Sequence, residues 1–454
     1  MTKQRGFTVV TRIVDGKVEE LGRLLDDIGD DINENAHLRL GDVSGLHYAS
    51  FVIVDVGTTP SLLFEGNIDG GIKQFFTRIV DTRPKAVDAI YSDCVGYPSE
   101  GTTDAAAVVQ YLIAHDIGIH AFYVAWPQQS LKEICEEQQL RDRLEEFLDE
   151  ELRRGTFEGL SANAIRWRAQ ALVTNDPSLA WAQTRRPRPF LVRRGDRVVQ
   201  LLVAGLAAGL GATIWRAIKG RRRSARYRSR LVLLATMMSA AGTALMLHRA
   251  ERSDNKNDSQ RTEDWQSTYA RWSANLGGIV QRENVQGQNH LASVSEIKHS
   301  RFRFALLRTV LFAVNLAALL TANKGSLGGI SSIHFARWVI TPDRRHLIFL
   351  SNFDGSWERY LNDFIDLASK GLTAVWTNTT NEIGFPKTRR LLWDGARDEQ
   401  RFKSYSRYSQ ARTRTWYSAY PNLSNDNIAN NAVIRDLLFA DLTESEAKTW
   451  LHRL

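Results

Sequence analysis

Cysteine is almost missing from this chain. Cys94 and Cys135 are the only two in 454 residues, and neither stands in a CxxC or other metal-ligating spacing. That leaves no basis for a zinc site or a disulfide framework, and it points to a reducing compartment. The N-terminus, MTKQRGFTVVTRIVDG, has no apolar run of ~7–15 residues behind its first charges. It reads as the start of a folded domain on the cytoplasmic side rather than a secretory leader. No P-loop, G-x-G-x-x-G fingerprint, H-E-x-x-H or G-x-S-x-G stands where a flanking strand or helix would support it. The reactions those motifs serve gain no support.

What is present is the composition of a folded chain, 43% apolar and 24% charged, with length for two or three domains. The formal charge of +8 is unevenly spread. Residues 185–230 carry fourteen Arg and Lys against the single acid Asp196, a net +13, so the remainder is net −5 against the total of +8. That basic block borders the most apolar stretches of the chain. Such a placement favours a membrane surface with anionic lipids over nucleic acid as partner.

An internal repeat organises the rest. Leu46-His47-Tyr48-Ala49-Ser50-Phe51-Val52-Ile53 answers Ile333-His334-Phe335-Ala336-Arg337-Trp338-Val339-Ile340. Leu62-Leu63-Phe64-Glu65-Gly66-Asn67-Ile68-Asp69-Gly70 answers Leu347-Ile348-Phe349-Leu350-Ser351-Asn352-Phe353-Asp354-Gly355. Phe75, Phe76, Ile79, Val80 and Asp81 then meet Tyr360, Leu361, Phe364, Ile365 and Asp366, and Gly96-Tyr97-Pro98 meets Gly384-Phe385-Pro386. Ordered matches at near-constant spacing mark a duplication.

Within the first copy, residues 7–14 and 47–54 have strand composition, residues 57–60 supply a turn, and 62–65 form the return strand. Residues 17–28 and the run after Asp69 follow the helical period. Asp69 is placed to cap the helix that follows it. Residues 86–91 read as a further strand. The order is β-α-β-β-α-β, a ferredoxin-like unit. The second copy matches with residues 291–297 as first strand and 302–320 as first helix. Each copy appends a helix and a strand, at 103–115 and 120–126, then at 399–410 and 413–420. The expected fold class is α+β: two ferredoxin-like repeats that form an α+β barrel, with an inserted apolar helical hairpin. The expected divisions are 1–130 for the first unit, 131–190 for a helical linker, 191–250 for the hairpin, 251–285 for a polar linker and 286–454 for the second unit.

The hairpin comprises apolar residues 198–215 and 231–247, joined by the Arg-rich 216–230; Arg185-Arg186-Pro187-Arg188-Pro189 precedes it as a linker. Both apolar runs approach the ~20 residues of a span. Gly205 and Gly209 stand at the spacing that lets helices approach closely in lipid. A basic connection belongs on the cytoplasmic face, so a re-entrant or in-plane hairpin is expected. Residues 304–320 are apolar too, but their register makes them the packed first helix of the second unit.

Two joined ferredoxin-like units, and the string Gly66-Asn67-Ile68-Asp69-Gly70, give the chain a remote resemblance to the dimeric α+β barrel superfamily. That group includes dye-decolourising peroxidases and chlorite-dismutase-like haem proteins. The architectural likeness covers residues 7–126 and 290–420; the GxxDG motif covers five residues. The resemblance implies Asp69 as an acid–base group beside a haem and places neither the family's distal Arg nor its proximal His; Asp354 is the repeat counterpart of Asp69, and Arg337, which departs from the repeat where the other copy has Ser50, is a candidate anion-binding group. His47, His334 and His290 are the candidate haem ligands. Read from the residues alone, the repeated Asp is a cap, the histidines bond to backbone at strand starts, and Arg337 is a solvated charge. The expected function is a membrane-associated barrel protein that binds an apolar or lipid-like ligand or a partner, with homo-oligomers allowed. The alternative is a haem-dependent, peroxidase-like oxidoreductase.

Overall fold

The computed structural model describes the chain apart from residues 1–3, 57–58, 185–189, 220–222, 263–264, 275, 282, 284–286 and 321–324. The Arg-Pro linker, half of the 57–60 turn and the tip of the Arg-rich connection therefore lie outside the described residues.

The first half contains β1 (Gln4–Arg12), α1 (Val18–Asp30), β2 (Leu46–Val56), β3 (Thr59–Asp69), α2 (Ile72–Thr82), α3 (Pro84–Tyr91), α4 (Ala105–Ala114) and β4 (Ala121–Val124). The middle is helical: α5 (Leu131–Arg153), α6 (Ala162–Asn175), α7 (Phe190–Lys219), α8 (Arg223–Thr262), α9 (Trp265–Ser273) and α10 (Gly277–Val280). The second half runs through β5 (Gln288–Ile297), α11 (Arg301–Leu320), β6 (Ile333–Ile340), β7 (His346–Asp354), α12 (Trp357–Trp376), β8 (Thr379–Thr380), β9 (Thr388–Arg389), β10 (Trp393–Asp394), α13 (Glu399–Tyr408), β11 (Gln410–Ala411), β12 (Thr413–Ser418), α14 (Asn425–Leu438) and α15 (Glu444–Leu451).

The strands form two main antiparallel sheets, ordered β1-β3-β2-β12 and β11-β5-β7-β6-β4, with β8 also on β5. The orders β1-β3-β2 and β5-β7-β6 match. The outermost strand beside β2 and beside β6 comes in each case from the other half of the chain. β12 pairs with β2 (Trp416 opposite Ser50), and β4 pairs with β6 (Phe122 opposite Arg337). The sheets meet face to face through Val52, Val54 and Leu63 on one side and Ala292, Val339, Ile348 and Leu350 on the other. The outer face of the first sheet packs on α1 to α4, and that of the second on α11 to α13. Alternation decides which side chain goes where: Phe51 and Phe64 point outward and stack at 4.3 Å, while Val52 and Leu63 point inward.

Three expectations are corrected. Neither sheet closes, so there is no barrel: beyond β1 and β5 lie only short segments, too short to carry the ladder onward. Residues 86–91 are helix α3, because Pro84 opens it and its buried residues Ala86, Val87, Ile90 and Tyr91 follow the helical period. Residues 251–262, read as a polar loop, continue α8 without a break. A helix that is already nucleated extends at little cost.

The segment read as a linker at 131–190 is structured over its described part. α5 and α6 pack with α14 and α15 around Leu140, Leu144, Val173, Ile434, Leu438 and Trp450. Among the described residues, two helices are long and apolar enough to cross a membrane: Tyr227–Asp254 within α8, and α11. α11 buries Arg303, Leu307, Leu311 and Ala318 against the body and exposes Phe312, Leu316 and Leu319. Gly205, Gly209 and Gly242 of the hairpin α7–α8 are not used for close approach: a Cβ at any of the three would meet open space.

Candidate functional site

Between the sheets, the apolar contact gives way to a polar seam that gathers most of the singled-out residues. Both copies of the His-aromatic string carry a β-bulge, between Leu46 and Tyr48 and between Ile333 and Phe335. The extra residue breaks alternation, so that a histidine and the next aromatic both turn into the seam. His47 Nε2 lies 3.2 Å from Asp69 Oδ1, off the hydrogen-bonding direction, and Nδ1 lies 3.1 Å from the Tyr420 hydroxyl. His334 Nε2 is bonded to Asp354 Oδ1 at 2.7 Å. The other oxygen of each carboxylate accepts from a helix start, Asp69 from Leu131 N at 2.8 Å and Asp354 from Asn425 N at 2.7 Å. Gln4 donates to the Gln129 carbonyl, and Gln288 donates to the Leu423 carbonyl at 2.6 Å. Gln129 and Leu423 each precede the N-cap serine of these same helices, Ser130 and Ser424.

The two aspartates therefore cap helices, as the residue reading held, but not the helices that follow them. α2 starts at Gly71 without a side-chain cap, and α12 is capped by Ser356. Asp69 and Asp354 instead hold α5 and α14, which follow the exchanged strands. The rest of the GxxDG string is equally accounted for. A Cβ at Gly66 would fall 2.5 Å from the Phe7 ring, and Gly70 and its counterpart Gly355 have φ of +90° and +83°.

A second set belongs to one side only. Glu65, fully buried, lies 2.7 Å from Arg337 Nη2 through Oε2 and 3.3 Å from His290 Nε2 through Oε1. Ser50 donates to Glu65 Oε1 at 3.2 Å. Arg337 also donates to the carbonyls of Phe7 and Gly66 and to Asn67 Oδ1, and its guanidinium lies 5.6 Å from the centre of the Phe122 ring. Only 1% exposed, it is not the solvated charge of the residue reading. Burial pushes the Glu65 carboxyl up, but Arg337, His290 and Ser50 outweigh it and hold it below its usual value. Burial lowers the Arg337 pKa, and Glu65 and Asp116 offset only part of that. By repeat register, Glu65 corresponds to Leu350, Arg337 to Ser50 and His290 to Gly6. The matching positions of the other sheet are thus filled by uncharged residues.

His290 is where this set approaches solvent. Its Nδ1 lies 2.9 Å from Thr413 Oγ1, and both residues line a cleft of about 700 Å³ with Gln288, Glu283, Arg412 and Trp416. Hydroxyl, imidazole and carboxylate thus stand in line from cleft to core, which permits a proton to pass from Thr413 to His290. Tyr48 and Tyr420, both fully buried, are pushed well above the usual phenol value of 10, first by burial and then by neighbouring acidic groups. They stay protonated, and Tyr48 donates to Gln288 Oε1 at 3.2 Å.

The haem implied by the resemblance does not fit these residues. Both nitrogens of His47 face Tyr420 and Asp69, and those of His290 face Thr413 and Glu65. His334 Nε2 is engaged by Asp354, and the cavity that His334 lines is about 10 Å³, against the ~300 Å³ or more of an ordinary ligand site. No group of three or more His, Cys, Asp or Glu that could hold a metal occurs among the described residues.

Sequence reading missed Glu65, Ser50, Thr413, Gln288 and the two buried tyrosines. Glu65 did carry a signal, as a lone charge inside an apolar strand where its repeat counterpart is leucine. Gln288 and Thr413 carried none. Comparisons with family models, curated proteins and solved structures found no match to this chain.

Proposed function

We propose that this chain is a membrane-associated binding protein, built from two copies of one ferredoxin-like unit that exchange edge strands, with α7 and α8 as its lipid-facing hairpin. The observation that carries the reading is the apolar stretch of Tyr227–Asp254, none of which is buried against the rest of the chain. Met237 and Met238 are each 68% exposed there. A continuous apolar surface of this kind is unfavourable in water and marks a lipid or protein contact. The Arg-rich connection 216–230 favours lipid, on the cytoplasmic face of an anionic leaflet. The repeat is supported by the matching strand orders, bulges and Asp caps; α3 in place of a fourth strand is its main departure. The apolar part of the seam is filled by side chains, so a lipid-like ligand would be held along the helices rather than between the sheets.

Flotation with phosphatidylcholine vesicles tests the reading. The full chain is expected to rise with the vesicles and to need detergent otherwise. A chain that stays at the bottom and remains monodisperse without detergent contradicts it.

A second reading rests on the Thr413–His290–Glu65 line, which has the arrangement used in acyl transfer. Under it, Thr413→Ala and His290→Gln each abolish turnover of small esters. Absence of turnover in the parent chain, or its survival in either variant, removes that reading.

A further inference from the structure

Where α8 passes from apolar to polar sequence it runs beside the start of α11, and the two enclose a cavity of about 580 Å³. Its lining includes Met246, Arg249, Asp254, Lys298, His299 and Arg303. One carboxylate serves two of the cations: Asp254 Oδ2 lies 3.0 Å from Lys298 Nζ and is paired as well with Arg303, which is 3% exposed. Arg249 brings a third permanent positive charge from the exposed face of α8. Two further acids stand nearby: Glu251 accepts from the Arg390 amide and also acts on Arg303, and Glu296 lies 3.1 Å from His299, so Arg249 carries the surplus positive charge. α11 is twenty residues long with no acid in its first turn, so its positive end adds to the same field. Met246, which lines the cavity, is 54% exposed on α8, and farther along α11 Phe312 and Leu316 are 68% and 44% exposed.

A cationic hollow at the end of an apolar helix has the chemistry of a headgroup site. We propose that this cavity binds the phosphate of an anionic phospholipid, with Arg249, Lys298 and Arg303 as its cations and the acyl chains along the exposed faces of α8 and α11. The proposal rests on the membrane reading above. Asp254 sets the specificity: it keeps Lys298 and Arg303 in place, and the surplus positive charge selects a net-anionic phosphate monoester over a zwitterionic phosphodiester headgroup.

The test is calorimetric titration of the full chain in non-ionic detergent. Three probes are used: short-chain phosphatidic acid, short-chain phosphatidylcholine and inorganic phosphate. Saturable binding of phosphatidic acid is expected, with no binding of phosphatidylcholine. Arg249→Gln, on an exposed helix face where folding is not at stake, should weaken it about tenfold or more, the loss of a charge-assisted contact. Arg221→Gln with Arg222→Gln, in the general basic stretch, should not. Inorganic phosphate binding as tightly as the lipid would overturn the lipid source. No binding of phosphatidic acid, or binding indifferent to Arg249→Gln, would overturn the site itself. Flotation on neutral vesicles reads the membrane association separately, so either can fail alone.

Discussion

Glu65 and Arg337 form an ion pair with almost no exposed surface, in a chain whose other half fills the matching positions with Leu350 and Ser50. A buried pair is weak support for stability, but breaking one is costly, because the survivor is left charged and dry. Arg337→Met should therefore cost about 3–5 kcal/mol in urea unfolding. Glu65→Leu combined with Arg337→Ser, which copies each residue from the other half, should cost clearly less than the sum of the single changes. Glu65 also gives the fold a pH dependence of known sign. Its folded pKa lies below the ordinary 4.5, so its contribution is complete above that value and is lost as pH falls through the folded pKa. The stability gap between the parent and Glu65→Gln should shrink as pH drops below about 4.5. A gap that widens on acidification contradicts the assignment. Arg337 was legible as a departure from symmetry, but its burial was not: which sheet face it met depended on a strand from the far end of the chain.

At the scale of elements, the repeated strings were legible because side-chain pattern and bulge recur together. The strand at 86–91 was misread because Ala86, Val87, Ile90 and Tyr91 suit either state when taken without Pro84. The strand exchange was not legible at all, since period-two alternation says which face is apolar and nothing about the neighbour. The same blindness hid the targets of Asp69 and Asp354. If these carboxylates hold α5 and α14, Asp69→Ala should raise amide hydrogen exchange at residues 131–133 and cost about 1 kcal/mol. It should leave residues 72–75 unchanged. Asp354→Ala should do the same at 425–427 and spare 357–360. Faster exchange at the start of α2 or α12 instead would restore capping of the following helices.

Across the whole molecule, the exchange of β4 and β12 ties the halves together, for each sheet lacks an edge strand until the other half supplies it. Residues 1–130 alone should not fold cooperatively, and the full chain should lose both sheets in one urea transition by circular dichroism. Two separated transitions, one for each half, would argue against the exchange. The apolar stretch of α8 stands outside this unit, with Leu234, Met237 and Met238 turned to solvent and Gly242 unpacked. Its fate in lipid is therefore the most direct test of what the protein is for. In a Cys135→Ser background, where Cys94 is buried, a nitroxide at Met238→Cys can be compared with one at the exposed Gln110→Cys in vesicles. The account predicts that the Met238 label collides with oxygen and is shielded from a water-soluble nickel chelate, while the Gln110 label behaves in the opposite way. Equal access of nickel to both labels would contradict it.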